Sequence, residues 1–160
     1  MQIEISNVKF GIIGREGIKS FQCKLWINGV HIANVREDGN GGCLHIDYST
    51  AEQGKLLKLA DEWIKENIKD DFVYDLDSFI IDKVSNLEVE TQLKKDMKKG
   101  ICWQKVGQKK GEYTITTWKG HKIEGMLATE GGRTAIKNCL ANLKSYGHVV
   151  LNTNLGDLNP

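Results

Sequence analysis

Nine lysines (Lys94, Lys95, Lys98, Lys99, Lys105, Lys109, Lys110, Lys119 and Lys122) fall between residues 93 and 122, a stretch with only two acidic side chains, Asp96 and Glu112. Ammonium groups at that density attract phosphates or carboxylates, with an affinity that falls as salt rises. Trp103, Tyr113 and Trp118 are interleaved with them. Indole rings can stack on nucleotide bases. The chemistry implied is binding of an anionic polymer, RNA or single-stranded DNA, or of an acidic protein surface. The stretch holds no arginine, which weakens bidentate recognition of phosphates and bases. The same pattern also fits a solvated helix end followed by a solvated hairpin, and two tryptophans on a hairpin are as often core as platform.

A second constellation is the loop Asp38-Gly39-Asn40-Gly41-Gly42. Successive backbone N–H groups in such a loop can surround an anion such as a nucleotide phosphate. It is no phosphate-loop or dinucleotide fingerprint, because no Gly-Lys-Ser/Thr follows and it opens a strand, not a helix. A long turn needs these residues anyway. His45 and Asp47 lie two apart on the next strand and share its outward face. With a Lys or Arg nearby they could act as an acid/base pair. No frame for a nucleophile with its base and oxyanion hole is present, so the expectation is a non-enzymatic protein without cofactor. Cys23, Cys43, Cys102 and Cys139 are widely spaced among apolar neighbours. They read as four reduced core thiols, not as disulfides or a metal site.

The net charge of +1 conceals a partition. Residues 1–92 carry ten basic and sixteen acidic side chains, residues 93–122 nine and two, residues 123–160 three and three. Composition is that of a folded globular chain: 27% charged, 40% hydrophobic, with 17 glycines and a single proline at the end. At 160 residues one domain is expected, with Lys69-Asp70-Asp71 as the place where two lobes would divide. No basic segment followed by an apolar run opens the chain, and apolar runs stop at three or four residues. A cytoplasmic protein without membrane contact is the expectation.

The elements that must position these groups follow from periodicity. Ile3 and Ile5, then Val8, Phe10 and Ile12, alternate as strands do. FQCKLWI, the pair Asn28-Gly29 and VHIANV predict a hairpin with a type I′ turn, Ile27 facing Val30 and Trp26 facing His31. In that register Ala33 and Val35 join Trp26 and His31 on a partly apolar second face, and Val30 and Ile32 join the first. Leu44, Ile46 and Tyr48 share an inner face on a fourth strand. Ser49-Thr50 caps a helix over 51–67 with a stripe of Leu56, Leu59, Ala60, Trp63 and Ile64. A second helix spans 75–98, begun by Asp75 or Asp77 and ended by Gly100. Strands at 101–106 and 113–118, a helix at 131–146 and a last strand or docked tail at 148–154 complete an α+β chain: an N-terminal antiparallel β-meander, central helices, then a C-terminal β-hairpin plus helix and final strand.

The stretch KSFQCKLWINGVHIANVREDGNGG (19–42) resembles the opening of small proteins carried by bacteriophages and integrated elements. The shared features are a strand of form F-x-x-x-L, the Asn-Gly turn, a second strand and the D-G-x-G-G loop, about a quarter of the chain. The resemblance carries over no catalytic residue. It implies an intracellular inhibitor acting on a host protein or protein–nucleic-acid complex, anti-defence proteins such as anti-CRISPR inhibitors being one such class. Oligomeric state is left open.

Overall fold

The computed structural model describes residues 1–14, 17–68, 74–109 and 111–159. The chain forms two compact units, residues 1–85 and 86–160, divided within its second helix. The lobe boundary expected at 69–71 lies outside the described residues. The class is α+β, and the elements follow the expected order.

In the first unit β1 (Ile3–Ile13), β2 (Lys19–Ile27), β3 (Val30–Glu37) and β4 (His45–Asp47) form one antiparallel sheet in sequential order. The inward residues of β1 change parity between Ile5 and Val8. Side chains alternate along a strand, so the change needs one extra residue. The register supplies it: Ser6 pairs with Lys24, yet Lys9 pairs with Gln22. Asn7 sits at φ 52°, a left-handed conformation that Asn tolerates.

The β2–β3 hairpin has the expected turn, with Asn28 and Gly29 both at positive φ, and the expected pairs Ile27–Val30 and Trp26–His31. Past them the register slips by one residue, and Leu25 pairs with Ala33. This bulge corrects the second face drawn from simple alternation. Ala33 and Val35 turn inward beside Ile32, and all three are buried. Val30, at the hairpin end, is exposed, and so is Tyr48. The outer face of the sheet keeps Trp26 and His31 at its hairpin end and is otherwise mostly polar.

Helix α1 (Ala51–Asn67) starts with a full capping box between Thr50 and Gln53. It buries Leu57, Ala60 and Ile64, whereas Leu59 is exposed, one residue off the expected stripe. Helix α2 (Leu76–Met97) is capped by Asp75, whose carboxylate accepts from the Ser78 N–H at 2.9 Å. Asp61 of α1 accepts from the Leu76 N–H at 3.0 Å, satisfying another free donor of that helix start. Leu76, Ile80 and Val84 close the core of the first unit over Leu25, Ile27, Ile32 and Val35. Each fully buried aliphatic side chain there stabilises the fold by about 1.5–3 kcal/mol.

In the second unit β6 (Thr114–Thr117), β5 (Gly100–Gln104) and β7 (Val149–Val150) form an antiparallel sheet with β5 in the centre. The short α3 (Ile123–Leu127) had no periodic signal. It precedes α4 (Glu130–Ser145), and a 3-10 turn follows at Gly156–Leu158. Ile101, Ile123, Met126, Ile136, Leu143 and Leu155 form this unit's core. Gly100 does not end α2 as a left-handed cap. It lies in β5, where a Cβ would meet the Thr116 carbonyl oxygen at 2.2 Å.

Two cysteines, Cys23 and Cys102, are core thiols, and burial pushes both up to about 11. Cys139 is half-buried and Cys43 exposed, so the expectation of four core thiols fails at those two. Cys43 precedes the inward Leu44, and alternation turns it outward. Among the described residues no group of three metal-ligating side chains occurs, and no helix is long and apolar enough to cross a membrane.

Candidate functional site

Four lysines of the lysine-rich stretch come together in the structure. Lys95, Lys98 and Lys99 come from the end of α2 and the turn after it, and Lys122 immediately precedes α3. The Ile123 N–H donates to the Lys98 carbonyl at 3.1 Å and holds α3 against that turn. The four lysines line a groove of about 630 Å³ with Glu124 and Asn154, and the half-buried Leu127 adds an apolar side chain above the buried Ile123. Lys99 is engaged: its Nζ lies 2.8 Å from Asp96 Oδ1. Lys95, Lys98 and Lys122 have no ion-pair partner among the described residues.

Asp96 organises the end of α2. Besides Lys99 it accepts from Gln92 Nε2 at 2.9 Å and from the Tyr113 hydroxyl at 2.9 Å. The Lys99 ammonium first, then Gln92 and Tyr113, hold its carboxyl below the usual range. Tyr113 moves the other way, up to about 12, through burial and then its bond to Asp96. Asn154 reaches the groove because its Nδ2 donates to the Met97 carbonyl at 2.9 Å. Its part was invisible in sequence, since nothing local links a residue near the C-terminus to the end of α2.

The remaining lysines lie elsewhere. Lys94 is exposed on α2, Lys119 follows β6, and Lys105 and Lys109 sit in the β5–β6 loop. That loop is tied by Gln104 Nε2, which donates to the Glu112 carbonyl at 2.6 Å. Lys110 lies outside the described residues.

The tryptophans are half-buried and occupied. Trp103 Nε1 donates to Thr116 Oγ1 at 3.0 Å, and its ring stacks on His148 with centroids 4.5 Å apart. Trp118 packs on the core of its unit. Neither is a free stacking platform.

The loop of Asp38, Gly39, Asn40, Gly41 and Gly42 uses its amides internally. The Gly39 N–H donates to Glu37 Oε1 at 2.9 Å and the Asn40 N–H to Asp38 Oδ1 at 3.1 Å. The bond from Asn40 holds the Asp38 carboxyl below its usual value. Gly39 is buried against Gly14, where a Cβ would come within 2.0 Å of the Gly39 oxygen. The backbone contact between the two glycines therefore braces β3 against the end of β1. Compared with known proteins, the chain matches no family model, no curated protein and no solved structure.

Proposed function

We propose that this chain is a non-enzymatic binding protein that docks an acidic segment of a macromolecular partner in the groove of Lys95, Lys98, Lys99 and Lys122. One observation carries the reading: four lysines, from the end of α2 and the residue before α3, converge on a groove that also presents the half-buried Leu127. An occupant that gains from both parts must offer carboxylates to the lysines and aliphatic groups between them. An acidic protein segment does so. A phosphate strand would use the charge alone, because Trp103 and Trp118 are engaged elsewhere. The resemblance of residues 19–42 to phage-carried proteins points to a host component as the partner and to blocking as the role. The small-anion reading of the 38–42 loop is not taken up, because carboxylates of that segment already occupy two of its amides.

The test is titration of a labelled peptide of alternating Glu and Leu. Wild type binds it, more weakly as salt rises from about 50 to about 200 mM. The variant Lys95→Glu/Lys98→Glu/Lys122→Glu binds at least about tenfold more weakly, since like charge then faces the carboxylates. Equal binding by wild type and variant would sink the proposal.

A further inference from the structure

We propose that the outer face of the first unit's sheet is a separate binding surface for a single-stranded nucleic acid. Strand register carries the argument. Across the sheet, Lys9 pairs with Gln22, Gln22 with Arg36, and Arg36 with His45. The adjacent row runs Ser6, Lys24, Asn34, Asp47. Both bulges are needed to set these rows outward. Neighbouring strands lie about 4.8 Å apart, so the backbones of Lys9 and Arg36 are separated by about 9.6 Å.

A hollow of about 530 Å³ opens on this face, bordered by Lys9, Lys24, Arg36 and the amides of Asn7, Gln22 and Asn34. A second, of about 400 Å³, shares Lys9, Gln22 and Arg36 with it. The two form one trough across the strands. None of Lys9, Lys24 and Arg36 has an ion-pair partner among the described residues. The acidic groups along the trough are Asp47, Asp38 and the buried Glu37, whose carboxylate accepts from Gly39.

This surface differs chemically from the lysine groove. It carries an arginine, whose fork matches phosphate oxygens, which a lysine cannot do. Between its cations stand side-chain amides, each with a donor and an acceptor for base edges. Further along the same face Trp26 lies half-buried, its ring 5.3 Å from that of His31 and its Nε1 donating to Ser6 Oγ. Aliphatic side chains of a protein segment would find little apolar surface here. His45 and Asp47, which share the outward face of their strand, lie beside this trough: they pair across the sheet with Arg36 and Asn34. The excess of acid in this half of the chain sits mainly on α2 and its cap, with Asp75, Asp77, Asp82, Glu88 and Glu90 against Lys83 alone, whereas α1 carries four acids and three lysines.

The experiment is fluorescence anisotropy of a labelled oligouridylate of about a dozen nucleotides, within the span single-strand binders occupy. The full chain binds it at micromolar protein and about 50 mM salt. Lys9→Ala/Lys24→Ala/Arg36→Ala weakens binding at least tenfold, and the slope of log affinity against log salt falls by about 2, three contacts contributing about 0.7 each. The exposed single substitution Asn34→Asp weakens binding too, with an unchanged circular dichroism spectrum. Lys95→Glu/Lys98→Glu/Lys122→Glu leaves the oligonucleotide affinity within about threefold and the slope unchanged. Four results would overturn the proposal: no binding by wild type, no effect of the sheet substitutions, loss of binding from the groove variant instead, or displacement of the oligonucleotide by inorganic polyphosphate at equal phosphate concentration.

Discussion

Asn152 does more for the second unit than its single position suggests. It is buried, its Oδ1 accepts from the Cys102 N–H at 2.7 Å, and its Nδ2 donates to the Gly100 carbonyl at 3.1 Å. It thereby joins the C-terminal segment to β5. Asn152→Ala leaves a buried donor and a buried acceptor unpaired, at about 1–3 kcal/mol each. The expected loss of unfolding free energy in urea is about 3 kcal/mol, against a smaller loss for the exposed Asn154→Ala. Asp96 sets a pH dependence. Its folded carboxyl lies below the ordinary aspartate value of about 3.9. Its contribution to stability is therefore complete above that value and is lost as pH falls below it toward the depressed folded value. In Asp96→Asn that contribution is missing at neutral pH, and the stability difference from wild type narrows as pH falls below the ordinary aspartate value of about 3.9. Unfolding midpoints measured across the acid range check this, and a constant difference would refute it.

At the scale of elements, the two bulges decide which side chains the first sheet presents. Asn7 at φ 52° lets Ile3, Ile5, Val8 and Phe10 all face the core while Ser6 and Lys9 face out. A β-branched residue is strained in that conformation by about 1–2 kcal/mol. Asn7→Val is expected to lower stability by about that amount, whereas Asn7→Gly, which accepts positive φ freely, stays within about 0.5 kcal/mol. Thermal unfolding of the two variants distinguishes them. Equal melting temperatures would mean that the strand can shed its bulge. The slip at Ile32 works the same way for β3, placing Ile32, Ala33 and Val35 in the core and leaving Asn34 and Arg36 outside.

For the molecule as a whole, the two proposed surfaces make separable claims. Substituting the groove lysines should remove acidic-peptide binding and spare the oligonucleotide. Substituting Lys9, Lys24 and Arg36 should do the reverse, and one variant abolishing both would leave a single site. Sequence alone determined much of the element list. The capping box at Thr50, the Asn28-Gly29 turn, the extents of α1 and α2 and the α+β class all rest on interactions within a few residues, which local patterns encode. It also singled out the lysines of the groove, though not which four would meet. Tertiary structure decided the rest. A bulge shifts every later side chain to the other face, and its site depends on the partner strand, so Ala33 and Val35 could not be placed from alternation. Net charge read along the chain gave an acidic first half. Folding gathers Lys9, Lys24 and Arg36 on one face of the sheet, beside Asp47 and Asp38. Asn154 joins Lys98 across the packed fold because side-chain hydrogen bonds form between residues far apart in sequence, and no periodicity records them.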